Sequence, residues 1–500
     1  MLTYPLDERG EDTLYGYLYR CIRRDIETGV ISANDKLPSK RALAKHLGIS
    51  LITVEGAYAQ LVAEGYVRSE PRRGYFANSL MPRGEFVRFE KSLTYKKTDG
   101  EHARAAVFDS SEVKTPVIAD LSSGSVASEM FPSAVWAKTL RDMLAHEPEH
   151  ALLCESPSMG TRRLREALSS HLRAFRGLEA PPEQIVVGSG AQTLYGLIVQ
   201  LLGRRKGFAV EDPGYPRLTS IYESNDVPLS HVPLDAQGIE ISSLRASCAD
   251  VVHLMPSHQF PTGLVTPISR RYELLGWATD MPGRYIVEDD YDCEFRLAGR
   301  PIPTMMSIDA GERVIYANTF SRSLGPAFRI AYLVLPPHLA KRFQSELGFY
   351  SCTVSTMEQL VLARFIEGGD FERHVNRMRS HYRAVRNELV SALEASSLRD
   401  RFVIQGADAG LHFLLRIEVP VSEAILTAAA RREGVILAPF SSFCRASFDA
   451  PKENAGEQVS LARGGQESGA CRFLVSYAAL NREAIVPAVE ALARAVDKAL

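Results

Sequence analysis

The sequence predicts a multidomain chain, with a small helix-rich α+β module ahead of a large α/β domain. Three observations predict it. At 500 residues the chain exceeds the roughly 100–200 residues of an ordinary single domain. Residues 1–79 carry apolar side chains at helical spacing, whereas from residue 118 to residue 500 short β-branched runs alternate with helical segments, the pattern of a mostly parallel sheet covered by helices. Between them, residues 80–117 hold Lys91, Lys96, Lys97, Asp99, Glu101, His102 and Arg104 with few apolar anchors, and read as a linker.

In the first module, Leu14, Leu18, Ile22 and Ile26 share one face of a helix predicted over Thr13 to Glu27. Ser39 is placed to cap a second helix that turns Leu43 and Leu47 inward and stops at Gly48. Ser50 caps a third, with Val54, Ala57, Tyr58 and Leu61 as its buried stripe and Leu51, Ile52, Thr53 and Glu55 facing outward. Tyr66-Val67-Arg68-Ser69 and Gly74-Tyr75-Phe76 then form a strand pair around Glu70-Pro71-Arg72-Arg73. Two helices joined by a tight turn and followed by a basic-tipped strand pair are the winged helix-turn-helix arrangement. Charge agrees with this reading. From Lys36 to Tyr75 seven basic residues (Lys36, Lys40, Arg41, Lys45, Arg68, Arg72, Arg73) face three acidic ones (Glu55, Glu64, Glu70), although the whole chain has a net charge of only −2. Nucleic acid therefore has a local, not a global, electrostatic footprint.

In the larger domain, buried strands are predicted at Gln184–Val187, Gly207–Val210, Val251–Leu254 and Arg284–Val287. Gly188-Ser189-Gly190-Ala191-Gln192 lies between the first of these and a helix beginning near Thr193, so its backbone N–H groups can meet a phosphate. Glu288-Asp289-Asp290-Tyr291 follows the last, at the strand end where open α/β sheets bind ligands. Asp289 could hold a pyridinium nitrogen and Tyr291 a phenolic oxygen. Tyr215 could stack on a ring, and Arg217 beside it could meet an effector carboxylate. The seven cysteines are scattered, without a CxxC pair. This argues for a reducing, cytoplasmic setting with no disulfide framework, no zinc site and no metal ligand set. No apolar run approaches a membrane span, and the first residues lack a signal-peptide layout.

The N-terminal residues Leu37-Pro38-Ser39-x-Arg41, Leu43-Ala44, Ser50-x-x-Thr53-Val54, Ala57-Tyr58, Glu64-Gly65-Tyr66 and Gly74-Tyr75-Phe76 resemble the winged-helix module of GntR-type regulators. That resemblance implies contacts to a double-stranded DNA operator from Lys40, Arg41, Ser50, Thr53, Arg73 and the backbone at Gly74. Leu51 stands where such modules often carry arginine, which leaves apolar contact with a thymine methyl as an alternative readout.

The remaining segments, with Ser257-His258-Gln259-Phe260-Pro261-Thr262-Gly263 and Asn318-Thr319-Phe320-Ser321-Arg322-Ser323-Leu324-Gly325-Pro326, resemble the fold-type I aminotransferase-like domain of the MocR/GabR subfamily. The resemblance implies a mostly parallel sheet plus a smaller α+β subdomain and a head-to-tail homodimer. It also implies a site for pyridoxal 5'-phosphate built from Ser189, Gly190, Ala191, Tyr215, Asp289, Tyr291, Ser321, Arg322 and Arg329, with Arg217 and His258 on the effector side.

The chain departs from that pattern in two places. Arg322 stands at the position of the lysine that forms the Schiff base, and a guanidinium stays protonated and delocalised where an amine can attack a carbonyl. Leu474 stands where relatives carry an arginine for a substrate carboxylate, with Arg472 two residues away on the same strand face. Four readings of Arg322 stay open: pyridoxal phosphate held non-covalently, a preformed amine adduct or pyridoxamine phosphate, a different anion, or a lysine deliberately replaced. At the level of function, a DNA-binding regulator with a small-molecule sensor competes with an aminotransferase bearing an accessory module. A third reading is a dimerisation scaffold with an empty pocket. The missing amine favours the regulator, with no catalytic residue assigned.

Overall fold

The computed structural model describes residues 2–5, 13–70, 73–78, 116–122, 124–297, 303–407, 409–445 and 469–500. The chain divides into two compact units, Met1–Phe108 and Asp109–Leu500, and the break falls inside the stretch read as a linker. Residues 80–115 of that stretch and the wing-tip residues Pro71 and Arg72 lie outside the described residues.

The first unit follows its capping signals. Thr13, Ser39 and Ser50 each accept a backbone N–H at the start of helices α1 (Leu14–Glu27), α2 (Lys40–Leu47) and α3 (Leu51–Ala63). These side chains satisfy donors that a helix start leaves orphaned. Gly48 closes α2 at φ 67°, a left-handed conformation that costs glycine little. Leu18, Ile22, Leu43, Val54, Ala57, Tyr58 and Leu61 form the core. Leu14 and Leu47 are only half-buried, at its edge. A three-stranded antiparallel sheet completes the unit, with β1 (Lys36–Leu37), β2 (Val67–Glu70) and β3 (Gly74–Ala77) in the order β1-β3-β2.

The second unit is built on an eight-stranded sheet. Its strands are β5 (Ile185–Gly188), β6 (Phe208–Asp212), β7 (Leu229–Asp235), β8 (Gly238–Ile239), β9 (Val251–Leu254), β10 (Tyr285–Asp289), β11 (Val314–Thr319) and β12 (Ala331–Val334), in the order β5-β12-β11-β10-β9-β6-β7-β8. A short β4 (Ala119–Asp120) precedes them and pairs with β15 (Val435–Ile436). Strands β7, β6, β9, β10 and β11 run parallel, while β12 is antiparallel to both of its neighbours. Strands β9, β10, β11 and β12 are buried along their whole length, as strands covered on both faces require. A four-stranded antiparallel sheet, β13 (Phe402–Gln405), β14 (His412–Glu418), β17 (Ala470–Ser476) and β16 (Ala438–Pro439) in that order, forms the smaller α+β layer. It packs with the helices Asp370–Ala395 and Ile485–Ala499 around Phe413, Leu415, Phe473, Leu389 and Val496. No described helix is long and apolar enough to cross a membrane.

The parallel register brings several carboxylates to one end of the sheet, where burial works against their charge. Glu211, on β6, accepts the backbone N–H of Met255, yet burial pushes its carboxyl up to about 8 from an ordinary 4.5. The folded chain thus keeps a proton that the unfolded chain releases across this window. The stability difference is absent below the unfolded pKa and grows unfavourably as pH rises, by about 1.4 kcal/mol per unit, until the folded group also ionises near 8. Glu211→Gln should therefore flatten the fall in stability between about pH 5 and pH 8, measured by urea unfolding at several pH values.

Candidate functional site

A concavity of the second unit, about 490 Å³, opens at the carboxyl ends of β10 and β11, against β14 and β17 of the smaller sheet. That volume is typical of small-molecule sites. Asp289 closes β10 and reaches the cavity with its carboxylate already oriented. Tyr195 donates its hydroxyl to Asp289 Oδ2 at 2.6 Å, and His253 Nε2 lies 3.4 Å from the same oxygen. Tyr222 holds the other nitrogen of His253 at 2.7 Å. Burial, then Asp289, keeps the Tyr195 phenol well above its ordinary pKa, so it remains a donor.

Tyr291 also lines the cavity, its phenol raised first by burial and then by Asp292, with Arg322 opposing. Tyr215 lines the opposite side, edge-on to Phe260 with ring centroids 5.6 Å apart. Ser321, Arg329 and Arg217 complete the polar lining. Arg329 sits in a left-handed conformation at φ 51° and passes over Gly190 so closely that a Cβ there would lie 2.3 Å from its Nη2. Arg322 projects into the same space. Its Nη1 donates to the Gly124 carbonyl at 2.6 Å, and its guanidinium lies 5.9 Å from the centre of the Tyr291 ring.

Of Ser189, Gly190 and Ala191, expected from the sequence to meet a phosphate, only Ala191 lines the cavity. Ser189 donates its backbone N–H to Thr353 Oγ1, and Gly190 donates its own to the Gly188 carbonyl. Neither residue lines the cavity, whereas Ala191 and Gln192, at the start of the helix Ala191–Leu202, both do. The sequence could not show this, because Thr353 comes from 164 residues away. His258 is likewise absent from the lining; it stands behind Tyr291, bonded to Asp292 at 2.7 Å. Leu474 does line the cavity. Arg472 does not line it; its guanidinium lies 4.4 Å from the Phe440 ring centre. Tyr195, Gln192, Phe260 and His412 are cavity residues that sequence reasoning missed.

These side chains fit the non-covalent anchors of a phosphorylated pyridine: a carboxylate for the ring nitrogen, phenols, a flat aromatic wall, and a helix start with Arg329 for phosphate. An amine is missing, since no lysine occurs among the described residues that line the cavity. A second, more open groove holds Lys138 with Asp142, Arg364 and Glu367. In it Arg364 pairs with Glu147 at 2.6 Å and Arg373 with Asp370 at 2.7 Å.

On the first unit, Arg41 and Arg73 are exposed, as are Leu51 and Ile52 at the start of α3. Lys40 is tethered, 3.1 Å from Glu55 and over the Tyr75 ring. Ser50 is occupied in capping Thr53, whose hydroxyl it also meets at 2.7 Å. Arg73 pairs with Glu70 at 2.6 Å, and Gly74 takes φ 114° to turn the wing.

Residues 14–76 match the family of bacterial regulatory proteins of the gntR type, and residues 116–455 match aminotransferase class I and II. The chain is 37% identical to the uncharacterized HTH-type transcriptional regulator YdeL of Bacillus subtilis, over 86% of this chain and 89% of that one. It is 31% identical to the probable rhizopine catabolism regulatory protein MocR of Rhizobium meliloti, over 90% of each. It is 30% identical to the HTH-type pyridoxine biosynthesis transcriptional regulator PdxR of Corynebacterium glutamicum, over 82% of this chain and 84% of that one. In fold, the body is similar to a multiple substrate aminotransferase from Thermococcus profundus, with a TM-score of 0.63 at 24% identity over 77% of this chain and 92% of that one.

The crowding at Gly190 gives a direct test of the cradle. Gly190→Ala should displace Arg329 and weaken binding of a phosphate ester by about tenfold or more, a loss of one charge-assisted contact. Isothermal titration with pyridoxal phosphate and with unphosphorylated pyridoxal checks it, since only the former should be affected.

Proposed function

This chain belongs to the GntR-type transcriptional regulators that carry an aminotransferase class I and II domain, and we propose that its body is a ligand sensor and not a catalyst. The observation that carries this reading is the composition of the cavity wall. Asp289, Tyr291, Tyr215, Ser321, Arg322 and Arg329 line it, and no described lining residue offers an amine; Arg322 is read as standing in for the Schiff-base lysine on the resemblance of its loop. Pyridoxal phosphate, when bound, supplies an aldehyde that reacts with amines. In this chain its retention falls to non-covalent contacts.

Each residue then has a positioning task. Asp289, fixed by Tyr195 and His253, receives the ring nitrogen. Arg329, Ser321 and the helix start at Ala191 hold the phosphate, and Tyr215 covers a ring face. Tyr291 donates toward the phenolic oxygen. Arg322, tied to the Gly124 carbonyl, presents a fixed positive charge where a nucleophile would otherwise stand, which suits an aldehyde oxygen or another acceptor. Arg217 supplies a cation for an acidic effector group.

On the DNA side, Lys40, Arg41, Ser50, Thr53, Arg73 and the Gly74 backbone contact an operator. Lys40 must leave Glu55 to do so, and Ser50 and Thr53 serve chiefly by ordering the start of α3. The working form is a cytoplasmic head-to-tail homodimer that places two modules on two half-sites. Ligand in the cavity shifts DNA affinity by a coupling free energy of about 1–3 kcal/mol.

Absorbance spectra of the purified chain with added pyridoxal phosphate, followed by borohydride reduction and intact-mass analysis, test the reading. A saturable spectral change without a mass increase is expected. A mass increase of one reduced cofactor would mean that a lysine supplies the amine after all and would return the body to aminotransferase chemistry. No spectral change would refute the vitamer as ligand.

A further inference from the structure

Behind Tyr291, at the wall of the cavity, two histidines and one carboxylate from three separate segments come together. His258 follows β9, Asp292 follows β10 and His412 opens β14. All three are buried, and each offers a ligand atom within 4.8 Å of the others. We propose that His258 and His412, supported by Asp292, form a binding site for a divalent transition-metal ion of the zinc class. The proposal rests on the reading of this cavity as a ligand site and adds a second component to it.

The hydrogen bonds of the two rings carry the argument. His258 turns Nδ1 to Asp292 Oδ2 at 2.7 Å, with the Tyr291 hydroxyl 3.1 Å from the same nitrogen, while its Nε2 is buried without a partner. His412 bonds to the backbone of Pro261. Proline has no N–H, so the acceptor is its carbonyl and the histidine is the donor. The His412 Nε2 is buried without a partner, so that donor is Nδ1. A carboxylate and a carbonyl thus fix both rings in the tautomer that leaves the Nε2 lone pair bare. An imidazole anchored through one nitrogen by such an acceptor, with the other nitrogen free, is the arrangement found around bound metals.

Two orphaned acceptors, on side chains each only 3% exposed, are costly unless something electron-poor meets them. The ring centroids are 4.6 Å apart with 39° between the planes, and rotation of the side chains would bring both nitrogens onto one ion at metal–nitrogen distances of about 2.0–2.1 Å. Imidazole nitrogen donors favour zinc, cobalt or nickel over calcium or magnesium.

The backbone is shaped around the cluster. Gly410, at φ 69°, passes where a Cβ would lie 2.0 Å from His258 Cε1 and 2.5 Å from Asp292 Oδ2, so no other residue fits there without moving the pair. Gly263 leaves room on the other edge, since a Cβ there would lie 3.5 Å from His258 Nε2. Charge permits a cation despite Arg322. Asp289 and Asp292 both act on the intervening Tyr291, and Arg322 is already tied to the Gly124 carbonyl. His412 and Asp292 also line the cavity. An ion held here would keep coordination positions open toward a small molecule bearing amine or carboxylate donors.

Chelator-stripped full-length protein titrated with Co2+ as a spectroscopic probe tests the site. Saturation at one ion per chain is expected, with visible ligand-field bands, displacement by Zn2+ and two contact-shifted exchangeable imidazole proton signals from the two Nδ1–H groups. His258→Gln and His412→Gln should each weaken binding by about 100-fold or more, and Asp292→Asn by about 10–100-fold. No saturable binding by wild-type protein would overturn the proposal. So would binding unchanged in the double histidine variant, or sulfur-to-cobalt charge-transfer bands, either of which would mark an adventitious ion held elsewhere. The proton signals come from wild-type protein and decide the matter even if a variant fails to fold. Pyridoxal phosphate spectra recorded without metal report on the vitamer reading separately, so the two can fail independently.

Discussion

Three consecutive carboxylates, Glu288, Asp289 and Asp290, are buried at the end of β10, each with no more than 4% of its surface exposed, and the body is organised around holding them. A strand sends successive side chains to opposite faces, so Asp289 goes one way and its two neighbours the other. Glu288 accepts the N–H groups of Met305 and Met306, at 2.7 and 3.0 Å. Asp290 meets the buried Arg176 at 2.7 Å and the Tyr316 hydroxyl at 2.9 Å. Buried charge of this density is tolerated only where partners have been supplied. Those partners lock β10 to β11 and to the helix Arg162–Arg176. Asp289 alone is left facing a cavity, steadied by Tyr195 and His253 and ready for a ligand's positive pole.

That arrangement explains how a fold shared with aminotransferases can serve regulation. Much of the apparatus that orients a ring belongs to the scaffold: the end of β10, the start of the helix after β5, and the reversed strand β12 that returns Arg329 toward Gly190. The amine that would make the site reactive is a single side chain on a loop. On the reading proposed above, an arginine in its place leaves the scaffold standing while removing the nucleophile. The residue that takes its place is held by a backbone carbonyl and an aromatic face, not left to swing. A body of this kind can still discriminate among ligands, and discrimination is what a sensor requires.

The sequence showed the elements well because their signals are local. Ser39 and Ser50 announce helix starts, Gly48 a helix end, and β-branched runs the buried strands, all within a few residues of the structure they specify. Asp289, Tyr291, Ser321 and Arg329 were readable because each abuts such an element. What stayed hidden was assembled over distance. Tyr195 reads as core in an apolar helix until Asp289 arrives from 94 residues away. The Ser189 N–H looks free until Thr353 takes it. His412 looks like an interior strand residue until β14 carries it to within 4.6 Å of the His258 ring centre. Arg472 shares its strand face with Leu474, but only packing shows that its guanidinium goes to Phe440.

A sensor of this kind requires that occupancy of the cavity be coupled to DNA binding. The most direct test is fluorescence anisotropy of the full chain on a DNA fragment selected from a random pool, at one fixed salt concentration, with and without saturating pyridoxal phosphate. A shift in affinity of about 5- to 150-fold, in either direction, is expected, and it should vanish in Asp289→Ala. Equal affinity with and without ligand, at a concentration where the spectrum shows the cavity filled, would contradict the account.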